Sequence, residues 1–207
     1  QGTIRIEGVP SLHGAEHSII PDRIETATLL AAAAITRGEV TVRNTNAEHL
    51  TAVLSAFEEA GSEIDIKGSD ITLRQNRRPL SVRYLRTMPY PGFPTDTQAL
   101  MMALQCISEG ASVIVENIFD NRFKHVGELC RLGANIKLEG RVAVIVGVER
   151  LIGAELESTD LRGGAALVVA GLAAQGRTIV NKTHYIDRGY EKLEDTLSAL
   201  GADIRRE

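Results

Sequence analysis

Three stretches of the sequence follow one grammar, and that repetition limits the fold more than any other feature. They are PDRIETATLLAAAAITRGEVTVRNTNAEHLTAVLSAFEEAGSEIDI, PTDTQALMMALQCISEGASVIVENIFDNRFKHVGELCRLGANIKL and STDLRGGAALVVAGLAAQGRTIVNKTHYIDRGYEKLEDTLSALGADI. Each opens with an Asp at a predicted helix start (Asp22, Asp96, Asp160) and continues through small apolar residues to Gly38, Gly110 or Gly176. Those glycines suit the left-handed position that ends a helix. A β-branched strand follows: VTVRN, SVIVEN or TIVNK. Asn46, Asp120 and Asp187 are then placed to cap a second, amphipathic helix ending at Gly61, Gly133 or Gly201. A further strand comes next (EIDI, NIKL, DIRR), and the first two units add a hairpin strand, DITLR or VAVIVG, for which the third has no residues left.

Three βαβαββ-like units that each present one apolar face must bury it against one another. The sequence therefore predicts an α/β domain arranged about a pseudo-threefold axis, with helices inside and sheets outside. Runs such as LLAAAAI and ALVVAGLAA suit a crowded centre. The helix starts would converge at one end, where partial positive charge and unpaired N–H groups favour an anion. With 43% hydrophobic and 24% charged residues the chain reads as globular and soluble, and a net charge of -4 without a basic run argues against nucleic acid. No apolar run is long enough to cross a bilayer and no leader is recognisable, so a cytoplasmic location is expected. Cys106 and Cys130 lie in apolar helical patterns and read as buried reduced thiols; no spacing implies a metal or other cofactor.

The charged residues at the helix starts admit more than one reading. Asp22 with Glu25, and Thr95 with Gln98, match capping boxes, and capping alone explains Asp22. With Thr95 as cap, Asp96 is a second polar group in the same turn. Arg122 and Arg188 fall in the first turns of the second helices, where a cation opposes the helix dipole. Either a salt bridge to an acid of a neighbouring unit or an anionic ligand explains them. Gly163-Gly164 near a helix start costs roughly 1 kcal/mol per residue relative to Ala, which close approach of a ligand or crowding at the axis would explain.

The motifs PDRIET, YPGFPTDTQA, ENIFDNRFKHVGELCRLGANIK, STDLR and YIDRGYEKLEDTLSALGA closely resemble those of the UDP-N-acetylglucosamine 1-carboxyvinyltransferases, in order and over nearly the whole chain. EPSP synthase shares that family's fold without this set of motifs. The resemblance implies an inside-out α/β barrel of the enolpyruvyl transferase, EPSP synthase-like type, and covers about the C-terminal half of a family member. It divides the chain into residues 1–16, the last strand (TIRIEGV) of an absent partner domain with its crossover, and residues 17–207, the transferase domain, with repeats at about 17–75, 82–147 and 154–207. The family's Lys-Asn pair, its loop carrying a catalytic Cys and the other domain's arginines are not in this chain, which is expected to be inactive alone.

By resemblance, the activity is transfer of the enolpyruvyl group of phosphoenolpyruvate to the 3'-hydroxyl of UDP-N-acetylglucosamine with release of phosphate, the first committed step of peptidoglycan precursor synthesis. The partners are those two substrates and the N-terminal domain of the same polypeptide. Asp96 is implied as the base at the hydroxyl, with Thr95 beside it; Ile118 and Phe119 line the sugar-nucleotide pocket; and Arg188 clamps phosphoenolpyruvate, a task that suits a two-pronged guanidinium. Arg122, Asp160 and Arg162 are implied to face the cleft, and Asp22, Arg23 and Glu25 to serve the sugar-nucleotide side or the hinge. Gly163-Gly164-Ala165 stands where the family usually has Ala and Ser, and Lys124 where Met is common. A domain that binds a nucleotide sugar or an acidic partner without catalysis is the alternative.

Overall fold

The computed structural model describes residues 3–207, so the first two residues of the expected 1–16 segment lie outside the described residues. Thr3–Pro21 form neither helix nor strand, and Ile4, Ile6, Leu12 and Ile19 all face solvent.

The first unit contains α1 (Arg23–Thr36), β1 (Glu39–Val42), a 3-10 turn (Ala47–Leu50), α2 (Thr51–Glu59), β2 (Glu63–Lys67) and β3 (Asp70–Arg74). The second contains β4 (Tyr84–Arg86), α3 (Thr95–Gln105), β5 (Ala111–Val115), α4 (Val126–Arg131), β6 (Asn135–Glu139) and β7 (Val142–Val146). The third contains β8 (Leu151–Ile152), β9 (Glu155–Glu157), α5 (Leu161–Ala173), β10 (Ala174–Gln175), β11 (Ile179–Asn181), a 3-10 turn (Thr183–Arg188) and α6 (Leu193–Ala199). No helix is long and apolar enough to cross a membrane among the described residues.

Helices α1, α3 and α5 pack on one another in the middle. A helix that is apolar on all sides must be buried on all sides, and every residue of α3 from Thr97 to Gln105 is. Small side chains such as Ala31, Ala103, Ala166 and Ala170 line these helices and are almost fully enclosed. The sheets lie outside. Their strands alternate in burial, as β3 and β7 show, so one face meets the helices and the other meets solvent. Asp22 caps α1 as read, accepting from the N–H groups of Ile24 (2.7 Å) and Glu25 (3.2 Å).

Several expectations are corrected. The described strands form separate sheets, β1-β3-β2, β4-β5-β7-β6, β9-β11 and β8-β10, and none closes into a barrel. Closure needs unbroken strand-to-strand pairing, and here each sheet ends on an edge. DIRR is not a strand. In the first two units the corresponding strands, β2 and β6, pair only with the hairpin strands β3 and β7. The third unit has no hairpin strand, so DIRR has no ladder to join. The left-handed residue after α1 is Arg37 (φ 57°) rather than Gly38. Asn46 caps the first 3-10 turn, but Asp120 and Asp187 cap nothing, because Arg141 and Arg206 take their carboxylates. Cys106 is buried, and that burial pushes its thiol pKa up, whereas Cys130 on α4 is exposed.

Candidate active site

Asp96 lies in the first turn of α3, and both of its oxygens are held by arginines from elsewhere in the chain. Arg122 Nη2 donates to Oδ1 at 2.6 Å and Arg162 Nη2 to Oδ2 at 3.3 Å. Arg162 stands in the first turn of α5, 66 residues away in sequence, and brings the third unit onto the second. Asp160 caps α5 by accepting from Gly163 N at 2.8 Å. Arg122 also lies 5.6 Å from the centre of the Phe119 ring, a cation–π contact. A carboxylate offers about four lone-pair sites. Two guanidiniums fix the orientation of Asp96 and leave room for it to accept from a ligand hydroxyl.

Arg122 and Arg188 escape the dipole penalty predicted for them. Arg122 occupies the irregular turn before α4, and Arg188 ends a 3-10 turn, where a cation is favoured. The salt-bridge explanation holds for Arg122, whose partner is the Asp96 of its own unit. Arg188 is exposed and makes no ion pair among the described residues. Its turn nonetheless sits at the start of α5, since a Cβ placed on Gly189 would lie 3.0 Å from Leu161 Cδ2. The turn is anchored through Ile186, which is buried, and through Tyr190, whose hydroxyl lies 2.8 Å from Thr28 Oγ1 on α1.

Beside Asp96 opens a cavity of about 230 Å3, lined by Arg23, His49, Met88, Tyr90, Thr95 and Ile118 among others. The structure thus brings Arg23, Thr95, Asp96 and Ile118 to one cavity, and Arg122 and Arg162 to Asp96. Phe119, half exposed, borders a second depression with Arg122 and Lys124. Glu25 points to solvent and joins neither.

Two sequence readings change here. Thr95 is not the cap of α3; Pro94 holds that position without a side-chain bond, and the Thr95 hydroxyl donates instead to Glu116 Oε2 at 2.9 Å. Gln98 consequently closes no capping box, and its amide is buried without a hydrogen-bond partner. The Gly163-Gly164 pair is explained by crowding. A Cβ on Gly164 would collide with Ser158 Oγ and lie 2.8 Å from Ile186 Cγ1, and one on Gly163 would lie 3.0 Å from His125 Cβ. His125 and Glu116, both 1% exposed, were not singled out by the sequence reading. Burial lowers the His125 pKa to about 4; Asp160 acts against that shift and Arg122 adds to it. The sequence signal for Glu116 was its place directly after an apolar strand and before a turn of functional residues.

This arrangement of buried helices under outer sheets, with charged helix starts gathered at one end, is that of a known class. Residues 1–197 match the EPSP synthase (3-phosphoshikimate 1-carboxyvinyltransferase) family, and the chain belongs to that family. Among solved structures it is similar to the enolpyruvyl transferase NikO from Streptomyces tendae (TM-score 0.81, 27% identity, 90% of this chain and 44% of that one). The fold also matches the EPSP synthase from Acinetobacter baumannii (TM-score 0.70, 20% identity, 92% and 45%).

Within the family the similarity is sharper. The chain is 52% identical over 204 residues to UDP-N-acetylglucosamine 1-carboxyvinyltransferase 1 of Caldanaerobacter subterraneus subsp. tengcongensis, covering 99% of this chain and 49% of that protein. It is 53% identical over 208 residues to the UDP-N-acetylglucosamine 1-carboxyvinyltransferase of Xylella fastidiosa, with the same coverage. The chain spans about half the length of the curated relatives it matches.

Proposed function

We propose that this chain supplies about half of the active site of an enzyme that transfers the enolpyruvyl group of phosphoenolpyruvate to the 3'-hydroxyl of UDP-N-acetylglucosamine, releasing phosphate. The observation that carries this is Asp96, held through both oxygens by Arg122 and Arg162 at the rim of a cavity. An alcohol is a poor nucleophile while protonated, and a carboxylate of fixed orientation is the group that can take its proton. The hydroxyl oxygen adds to C2 of phosphoenolpyruvate while C3 takes up a proton, giving a tetrahedral intermediate, and loss of phosphate from C2 with a proton from the C3 methyl then restores the double bond in the product. Arg188, exposed and without an ion pair among the described residues, is the cation that takes the carboxylate or phosphate of phosphoenolpyruvate. Thr95, Ile118 and Phe119 serve the sugar nucleotide, Arg122, Asp160 and Arg162 face the cleft, and Arg23 lies on the sugar-nucleotide side while Asp22 and solvent-facing Glu25 belong to the hinge.

On this reading the rest of the site comes from an N-terminal domain of the same polypeptide, and the chain alone is inactive. Residues 1–16 supply the last strand of that domain and its crossover when the domain is present, and from Thr3 onward they form no strand without it. The alternation of Ile4 and Ile6, both exposed and unpaired, supports this. The three units relate by a pseudo-threefold axis along the central helices, and the enzyme works in the cytoplasm, where peptidoglycan precursors are made.

The test joins this chain to the N-terminal half of a related transferase and follows phosphate release from phosphoenolpyruvate with UDP-N-acetylglucosamine present. Release is expected, and Asp96→Asn should cut turnover at least about a hundredfold while leaving sugar-nucleotide binding intact. A folded hybrid that releases no phosphate, or an Asp96→Asn variant with near-normal turnover, refutes the assignment.

A further inference from the structure

Glu116 follows β5 directly and is 1% exposed. Its Oε1 accepts from Thr87 Oγ1 (2.9 Å), Ile118 N (2.8 Å) and Phe119 N (3.1 Å), and its Oε2 accepts from Thr95 Oγ1 (2.9 Å). Thr87 Oγ1 in turn accepts from Asn117 N at 2.8 Å, which closes the cluster. No cation pairs with Glu116 among the described residues. Burying a carboxylate without a counter-ion is costly, and it is tolerated only where hydrogen bonds replace the lost water. Here every donor is a neutral group, and the donors come from three separate segments.

Those segments are the ones that carry the candidate site. Thr95 precedes Asp96, the Ile118 and Phe119 amides belong to the turn leading to Arg122, and Thr87 directly follows β4, bridging to Phe93 across the Met88–Pro94 loop. Asp96 and Arg122 are thus joined twice, once by their own ion pair and once through Thr95, Glu116 and the 118–119 backbone. We propose that Glu116 is a positioning residue for the transfer reaction: it sets the distance and orientation between Asp96 and Arg122 and so acts on the substrate only through Asp96. This inference rests on the reading of Asp96 given above.

The experiment is a double-mutant cycle in the full-length polypeptide that carries this chain, scored by phosphate release from phosphoenolpyruvate with UDP-N-acetylglucosamine. If the unmodified polypeptide releases no phosphate, the transfer reading itself fails, and that result is separate from any result on Glu116. Given release, Glu116→Ala should lower kcat at least about thirtyfold when Asp96 is present and less than about threefold when Asp96 is already Asn. KM for phosphoenolpyruvate should stay unchanged in the Asp96 background. Glu116→Gln should restore most of the rate, because its amide oxygen can accept the bonds made to Oε1 while its nitrogen donates to a rotated Thr95 hydroxyl. Should Glu116→Ala not fold, Thr87→Val removes one donor at nearly constant shape and should lower kcat about fivefold, again only with Asp96 present. Equal losses in both Asp96 backgrounds, or folded variants with unaltered kcat, overturn the proposal.

Discussion

In the second unit the turn bearing Arg122 hangs from a buried carboxylate, whereas in the third the turn bearing Arg188 is tied to the chain end by a cation at the surface. Glu116 is enclosed and reaches backbone amides directly. Arg206 is partly exposed; it holds Asp187 at 2.6 and 3.0 Å and Glu194 at 2.8 Å, so that the irregular tail crosses the turn. The difference follows from the sheets. In the second unit β7 links β5 to β6, and a complete ladder leaves the loops to be organised from inside. In the third, β9 and β11 pair in parallel with no hairpin strand, and side-chain ion pairs replace the missing backbone bonds. One half of the candidate site is therefore braced by a buried carboxylate, and the other carries an exposed guanidinium on a turn held from below by Ile186 and Tyr190 and from above by screened surface charges.

The comparison can be broken at three points. The largest effect on stability belongs to the interior of the second unit. His125 is driven by burial to a pKa of about 4, against an ordinary value of 6.5. The unfolded chain takes up this proton below about pH 6.5 and the folded one only near pH 4, so the unfolded state binds more protons across that window. Stability should accordingly fall as pH drops from 7 toward 4, by on the order of 3 kcal/mol from this group. His125→Leu should remove that part of the slope in a plot of melting temperature against pH; an unchanged slope would show that His125 is solvated.

Next comes the packing at the start of α5 within the third unit. Gly164→Ala puts a methyl into Ser158 and Ile186, and overpacking of this kind outweighs the gain in helix propensity, for a net loss of about 2 kcal/mol in thermal melts. A stabilised variant would mean that the third helix start can relax. The smallest effect lies at the surface. Arg206→Ala should cost at most about 1 kcal/mol, with the difference from the parent shrinking in high salt. A loss independent of salt would place the tail's hold in packing, through Ile204, rather than in charge.

The central helices were legible because their composition is one-sided: fourteen residues such as RIETATLLAAAAIT leave little but a buried helix. The Asp22 cap was equally local. What misled were groups with partners far along the chain. Thr95 looks like a cap until Glu116, 21 residues on, takes its hydroxyl. Asp120 and Asp187 look like caps until Arg141 and Arg206 take them. DIRR has strand-forming neighbours in the other units but lacks the strand they pair with. At the site, motif similarity pointed to Asp96, Arg122 and Arg162, but that the two arginines grip opposite oxygens of one carboxylate depends on α5 meeting α3 at their starts. Neither periodicity nor spacing carries that information.

The unequal exposure of the two cysteines turns one of them into a chemical handle. Cys106 is sealed in the core and kept protonated by its surroundings, while Cys130 on α4 is an exposed residue. A maleimide dye would therefore mark a single point on the second unit, leaving the groups around Asp96 untouched. Paired with a dye on an N-terminal domain, it would turn the approach of the two halves into a change in energy transfer, visible in solution without any turnover.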